Sequence, residues 1–191
     1  MDVLVATRHL LVTRGYSATS IDLIATTAGV SRPAIYRRWS SKAQLVNDAV
    51  FPELGPDRPE DDFVAEITRL CHGALRLFHE PAVREAMAGL LLDMRSDPDL
   101  YRLLTQRVDA SARAQLADTV DHAVAGGAAR PGISADIIMD TIAGGAFYAA
   151  CVRNVQDLDR AATELCDLVL RGAASEPPRK VLSGPRESRN L

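Results

Sequence analysis

The chain has 191 residues, 47% of them hydrophobic and 5% aromatic, with a formal net charge of −3. That is enough apolar material for ordinary cores in one or two small domains. The three cysteines, an odd number, argue against a disulfide framework and for a reducing cytosol. The longest uncharged apolar run, Thr141 to Val152, falls short of the ~20 residues that cross a bilayer.

Met1 to Val12 lacks a basic start and is interrupted by Arg8 and His9, so a cytoplasmic chain without a secretion signal is expected. From Thr19 to Lys42 the pattern is that of two short helices joined by an Ala-Gly-Val turn. Thr19 or Ser20 can cap the first helix. Ile21, Ile24, Ala25 and Ala28 fall at i, i+3, i+4 and i+7 and share a buried stripe. Gly29 stands where the chain reverses and a left-handed residue is needed. Val30 is expected to fill the space between the helices. Ser31 caps the second helix, and Pro33 is tolerated because the first turn has no N–H partner to lose. Ile35 and Trp39, at i and i+4, anchor it. Arg32, Pro33, Tyr36 and Arg37 are left on the outer face. Ser40 or Ser41 caps a third helix with Lys42 in its first turn. A cation there opposes the helix dipole, but a phosphate docked at the same end would be attracted by both. A helix-turn-helix with a basic second helix is the arrangement that enters the major groove of duplex DNA.

Charge is distributed in the same sense. Residues 1–50 carry Arg8, Arg14, Arg32, Arg37, Arg38 and Lys42 against Asp2, Asp22 and Asp48, a net of +3. Residues 51–174 have a net of −8, and the tail from Ser175 has +2. A positive end on an acidic body orients the molecule toward DNA and keeps the body off it.

Pro52 to Pro59 is a turn-rich break and the expected domain boundary. Helical periodicity resumes with Phe63, Ile67, Leu70, Ala74 and Leu77. Pro81 opens a helix with Met87, Leu90, Leu91 and Met94 on its apolar side. Asp97-Pro98 starts a long helix with the stripe Leu100, Leu104, Val108, Ala112, Leu116, Val120 and Val124, ended by Gly126-Gly127. Ser134 caps a helix through about Arg153. A final helix runs from about Asp157 to Arg171, with Leu158, Ala161, Leu165, Leu168 and Val169 apolar. The expected fold is all-α with about nine helices: a three-helix helix-turn-helix domain over residues 1–51 and a helical domain over 52–174. Residues 175–191 read as a disordered tail.

Gly144-Gly145 lies mid-helix, where each glycine costs ~1 kcal/mol relative to alanine. Close approach of another helix would compensate. That helix belongs either to a second copy, in a four-helix bundle, or to the same chain. His72 and His79 share a face at i and i+7 but lack further ligands, so no metal site is expected. Cys71, Cys151 and Cys166 read more readily as buried, inert thiols than as redox sensors. The chain contains no phosphate loop, nucleophile elbow or dinucleotide fingerprint, so neither a catalytic residue nor a cofactor is expected.

The run G-Y-x-x-T-S-I-x-x-I-A-x-x-A-G-V-S-x-x-x-I-Y-x-x-W-x-S-K, from Gly15 to Lys42, resembles the DNA-binding domain of tetracycline-repressor-type (TetR/AcrR) transcriptional regulators. The resemblance is specific over about 50 residues; beyond them only the helical pattern matches. It implies a homodimer that pairs through its last two helices, represses at palindromic double-stranded operator DNA, and is released by a small-molecule effector. By position, it assigns Arg32 and Pro33 to base contacts and Arg37 to a base or a phosphate. Arg32 is placed for a bidentate pairing with guanine O6 and N7. Thr19, Ser20, Tyr36, Arg38 and Lys42 are assigned to the phosphate backbone. Ala34 stands where the family often has a hydroxyl. An N-terminal basic arm is not expected, since the chain starts at Met1-Asp2. The effector is expected to be mainly apolar, lined by Leu75, Met87, Leu91, Met94, Leu104, Phe147 and Tyr148, with His79 and Arg107 as polar anchors. Two other classes fit less well: a ligand-independent architectural DNA-binding protein, and a helical enzyme whose helix-turn-helix is incidental.

Overall fold

A computed structural model describes residues 2–51 and 62–173, with the backbone alone at residues 99 and 103–111. The break at Pro52 to Pro59 and the tail from Ser175 lie outside the described residues, as do the side chains of Leu104, Arg107 and Val108. Among the described residues there are nine α-helices, one π-helical turn and no strand. They are α1 (Val3–Ala18), α2 (Ile21–Ala28), α3 (Arg32–Tyr36), α4 (Lys42–Val50), α5 (Phe63–His79), α6 (Pro81–Ser96), α7 (Pro98–Ala125), α8 (Ala135–Phe147) and α9 (Leu158–Ala173).

The N-terminal helices end where their side chains dictate. Ser20, Ser31 and Ser41 each accept a backbone N–H at the start of α2, α3 and α4, and Gly29 closes α2 at φ 73°. Leu10, Ile21, Ile24, Ala25, Ile35, Trp39 and Leu45 form the core of this unit. Val30 is exposed, not a plug between helices: the turn turns it outward, and Ile35 fills the gap.

A second core lies among α5, α7, α8 and α9, built from Phe63, Ile67, Cys71, Leu116, Val120, Ile138, Ile142, Cys166 and Val169. The helix expected to run to about Arg153 is α-helical to Phe147 and changes its winding there. A π-helical turn, Tyr148–Val152, follows, with Arg153 N–H bonded five residues back to Tyr148 at 3.0 Å. The wider turn lets the adjacent Ala150 and Cys151 both face inward; Cys151 donates its thiol to the Phe78 carbonyl at 3.6 Å. Ala135 to Val152 is long and apolar enough to cross a membrane by length and composition alone. Its apolar content has a structural use, because Ile138, Ile142, Ala146 and Ala150 are buried in the cores. The glycine pair is divided between the two readings. A Cβ on Gly145 would meet Leu165 of α9 at 2.9 Å, whereas one on Gly144 would meet nothing within 4 Å.

Between the two cores runs a seam. Leu11, Tyr16, Ala43, Val46 and Val50 pack with Ala82, Val83, Ala86, Leu90 and Leu100 in one continuous cluster, so α1 and α4 share a core with α6 and α7. The helix of α1 breaks at Gly15 (φ 76°, ψ 169°), a conformation open only to glycine. The break delivers the Tyr16 ring onto α6 at Gly89, where a Cβ would fall 2.0 Å from Tyr16 Cδ1. Glycine inside a helix is ordinarily improved by alanine by about 1 kcal/mol. Here the sign should reverse: Gly89→Ala is expected to destabilise by about 1–3 kcal/mol through overpacking. A lower midpoint in chemical denaturation would show this, and a higher one would contradict the seam.

Candidate nucleic-acid interface

The DNA-facing surface is built on α3, which is only five residues long and owes its place to two anchors. Ile35 is fully buried. Trp39 lies one turn beyond, its indole N–H bonded to Asp48 of α4 at 2.9 Å. With those side chains turned inward, Arg32, Pro33, Tyr36, Arg37 and Arg38 are exposed together. Arg37 caps the C-terminal end of α3 and Ala34 is half-buried behind this face. Arg38 lays its guanidinium over the Trp39 ring, 4.8 Å from its centroid. Ser20 is exposed at the start of α2. Arg32 does not project alone: its Nε donates to Asp22 of α2 at 2.8 Å.

Two residues expected on the phosphate backbone bond to carbonyls at the end of α1. α1 ends at Ala18, one turn after the break at Gly15, and the carbonyls of that last turn have no partner at i+4 in the helix. Thr19 is buried and donates its hydroxyl to the Gly15 carbonyl at 2.8 Å. Lys42 donates to the Tyr16 carbonyl at 3.1 Å, with its ammonium 3.8 Å from the Tyr16 ring centroid. Both side chains therefore complete the break. Burial lowers the Lys42 pKa, opposed by the Asp93 carboxylate. On its far side the Tyr16 hydroxyl donates to Asp93 of α6. Burial, and then Asp93, push the phenol pKa upward, so it remains a donor. A second tie runs parallel to this one. Arg8 of α1 donates to the Ala49 carbonyl at 3.0 Å and pairs with Glu80 at 2.7 Å, the residue that also caps α6.

Among the described side chains, the residues expected to line one effector pocket have different surroundings. Met87 and Met94 pack against the seam, and Leu91 and Tyr148 are exposed. Leu75 is buried with Ala146 and Ala162. Phe147 meets Phe78 edge to face at 5.8 Å. At the end of α5, His79 Nδ1 is buried without a hydrogen-bond partner. Cys71 is fully buried, and its thiol is pushed up to about 12 by burial and by neighbouring Cys166, which keeps it protonated and unreactive. The roles of Tyr16, Asp93, Asp22 and the Arg8–Glu80 pair do not follow from spacing within a helix. The Gly-Tyr at the head of the motif and a glycine inside α6 were the available signals.

An all-α chain with a capped helix-turn-helix and an arginine-rich outer face is a DNA-binding regulator by class. Residues 3–49 match the family described as bacterial regulatory proteins, tetR family, and residues 58–169 match the tetracyclin repressor-like C-terminal domain. The chain belongs to the TetR family of transcriptional regulators. It is 26% identical over 148 residues to the HTH-type transcriptional regulator YdeS of Bacillus subtilis, covering 76% of this chain and 75% of that protein. Among solved structures it is similar to NalD of Pseudomonas aeruginosa, the secondary repressor of the MexAB-OprM multidrug efflux pump. That likeness has a TM-score of 0.63 and 22% identity, and covers 90% of this chain and 93% of NalD. It is also similar to FadR of Bacillus subtilis in complex with stearoyl-CoA, with a TM-score of 0.64 and 14% identity over 89% and 97% of the two chains. At those identities the structural likeness speaks for the fold.

The inward placement of Thr19 is testable. Thr19→Val keeps the shape and removes the hydroxyl, leaving a carbonyl short of a partner. Stability should fall by about 1 kcal/mol, while the affinity of the folded protein for DNA stays within twofold. A large loss of DNA affinity without a loss of stability would return Thr19 to the phosphate backbone.

Proposed function

We propose that the protein is a ligand-responsive repressor, with residues 1–51 as the DNA-binding domain and residues 52–174 as the effector-binding and dimerisation domain. It acts in the cytoplasm as a homodimer on palindromic operator DNA. The joint exposure of Arg32, Pro33, Tyr36, Arg37 and Arg38 around a Ser31-capped helix carries the reading. Arg32 and Arg37 read base edges from the major groove, and Pro33 offers apolar contact to a thymine methyl. Ser20, Tyr36 and Arg38 hold phosphates and set the register. Lys42 supports this surface from behind by completing the Gly15 break.

A palindrome requires two recognition helices about one turn, ~34–36 Å, apart. The face available for pairing comprises Ile137, Tyr148 and Val152, which stand exposed with Gly144 along one side of α8 and its π-helical turn, and Leu168, exposed on α9. These would form a four-helix bundle with their symmetry mates. For the effector, the buried unpartnered His79 Nδ1, one residue after Phe78 of the Phe78–Phe147 pair, favours a mainly apolar molecule with one hydrogen-bonding group. Only the stearoyl chain of the acyl-CoA in the FadR structure is apolar in this way. Helix α6 begins two residues after His79 and carries Gly89 and Asp93, so a shift at its start would reach Tyr16. Release then follows if the effector binds better to a dimer whose recognition helices are misaligned.

Titration of the purified protein into the duplex upstream of its own coding sequence tests the reading, with Arg32→Ala and Tyr36→Ala as controls. Affinity should fall at least tenfold in Arg32→Ala, and wild-type affinity should drop steeply from low to physiological salt. Binding unaffected by both substitutions would overturn it.

A further inference from the structure

We infer that Asp22 is a positioning residue that sets the base preference of Arg32; the inference rests on the reading of α3 as the recognition helix. The observation is the ion pair across the turn of the motif, Arg32 Nε to Asp22 Oδ1 at 2.8 Å, in which the two side chains are 56% and 65% exposed. A guanidinium has two edges that can grip a pair of acceptors: the side edge, which includes Nε–H, and the end edge, made by the two terminal nitrogens. Asp22 occupies Nε–H. The side edge is thereby spent, and the two terminal nitrogens remain as a fork.

Guanine is the base that offers two adjacent acceptors, N7 and O6, on its major-groove edge. A fork held in place by a carboxylate is matched to that pair. A free arginine would sweep over neighbouring bases and phosphates, and would lose more rotamer freedom on docking. The charge of Asp22 acts in the same direction. It already neutralises the guanidinium and repels phosphate, so Arg32 gains less from sliding onto the backbone of an arbitrary sequence. An acidic side chain this exposed, on the partner helix of a DNA-facing surface, weakens general binding. The return is a sharper choice between sequences.

An exposed ion pair that served only to stabilise the fold would contribute little and would leave base preference untouched. Selection from a pool of randomised duplexes, followed by affinities for a panel of single-base variants of the selected site, separates the two. The proteins compared are wild type, Asp22→Ala, Asp22→Asn and Arg32→Ala, each checked for its thermal midpoint. At one guanine position in each half-site, Asp22→Ala should reduce discrimination about threefold to tenfold, while affinity for unselected duplex rises. Arg32→Ala should abolish preference at that same position. Asp22→Asn, which keeps an oxygen for Nε–H, should lie between wild type and Asp22→Ala. A uniform change across all sequences in Asp22→Ala, or a loss at a position that Arg32→Ala leaves intact, overturns the inference while the recognition helix stands. If wild type selects no duplex, the reading of α3 fails and this inference fails with it.

Discussion

The insertion of Tyr16 between α6 and Lys42 is the contact on which the rest of the arrangement depends. One side of the ring rests where Gly89 has no side chain, its hydroxyl reaches Asp93 four residues further along α6, and the Lys42 ammonium lies against the ring. A ring so placed needs α1 to break one residue earlier, and Gly15 supplies the backbone conformation. α1 ends one turn later, and Thr19 and Lys42 bond to the carbonyls of that last turn. One aromatic side chain thus fixes the shape of α1, the start of α2 and the start of α4, the three features that aim the recognition helix.

Because Tyr16 belongs to a cluster that also contains Leu11, Val46, Val50, Val83 and Leu90, the helix-turn-helix is not a separate bead on a linker. Apolar contacts of this kind leave little slack, since interiors are packed as densely as crystals. The polar ties reinforce the same geometry: Arg8 joins α1, the end of α4 and the cap of α6. On the other side of α6, Arg84 donates to Asn154 at 2.7 Å, just past the π-helical turn. Helix α6 is therefore held at once by the DNA-binding helices and by the segment that follows α8. A packed element with contacts on both sides moves as a body, which is the condition for carrying a small displacement from one end of a chain to the other.

Much of this was legible in the residues, and what was missed has a common cause. Helix limits follow from local signals such as Ser20, Ser31, Ser41, Ser134, Pro81 and Gly29, which act within a turn of their own position. The outward set on α3 followed from the spacing of Ile35 and Trp39. The seam could not be read this way: Tyr16 and Asp93 are 77 residues apart, and the decisive feature at Gly89 is a missing side chain. Periodicity also identifies an apolar face without saying what covers it. Met87 faces the seam, while Leu91 and Leu168 are exposed, although all belong to apolar stripes in the sequence. Thr19 and Lys42 bond to backbone carbonyls at the end of α1, a demand that no spacing rule announces.

The seam makes a definite statement about cooperativity. Trp39 is the sole tryptophan of the chain and is buried in the core of the N-terminal helices, so its fluorescence reports that unit alone. Circular dichroism at 222 nm reports all the helices. The most direct measurement is urea unfolding followed by both signals on the same samples. A shared core predicts coincident transitions, with one midpoint and one slope. A Trp39 transition complete before the bulk of the helicity is lost would mean that the DNA-binding helices unfold on their own, and the seam would not be the constraint described.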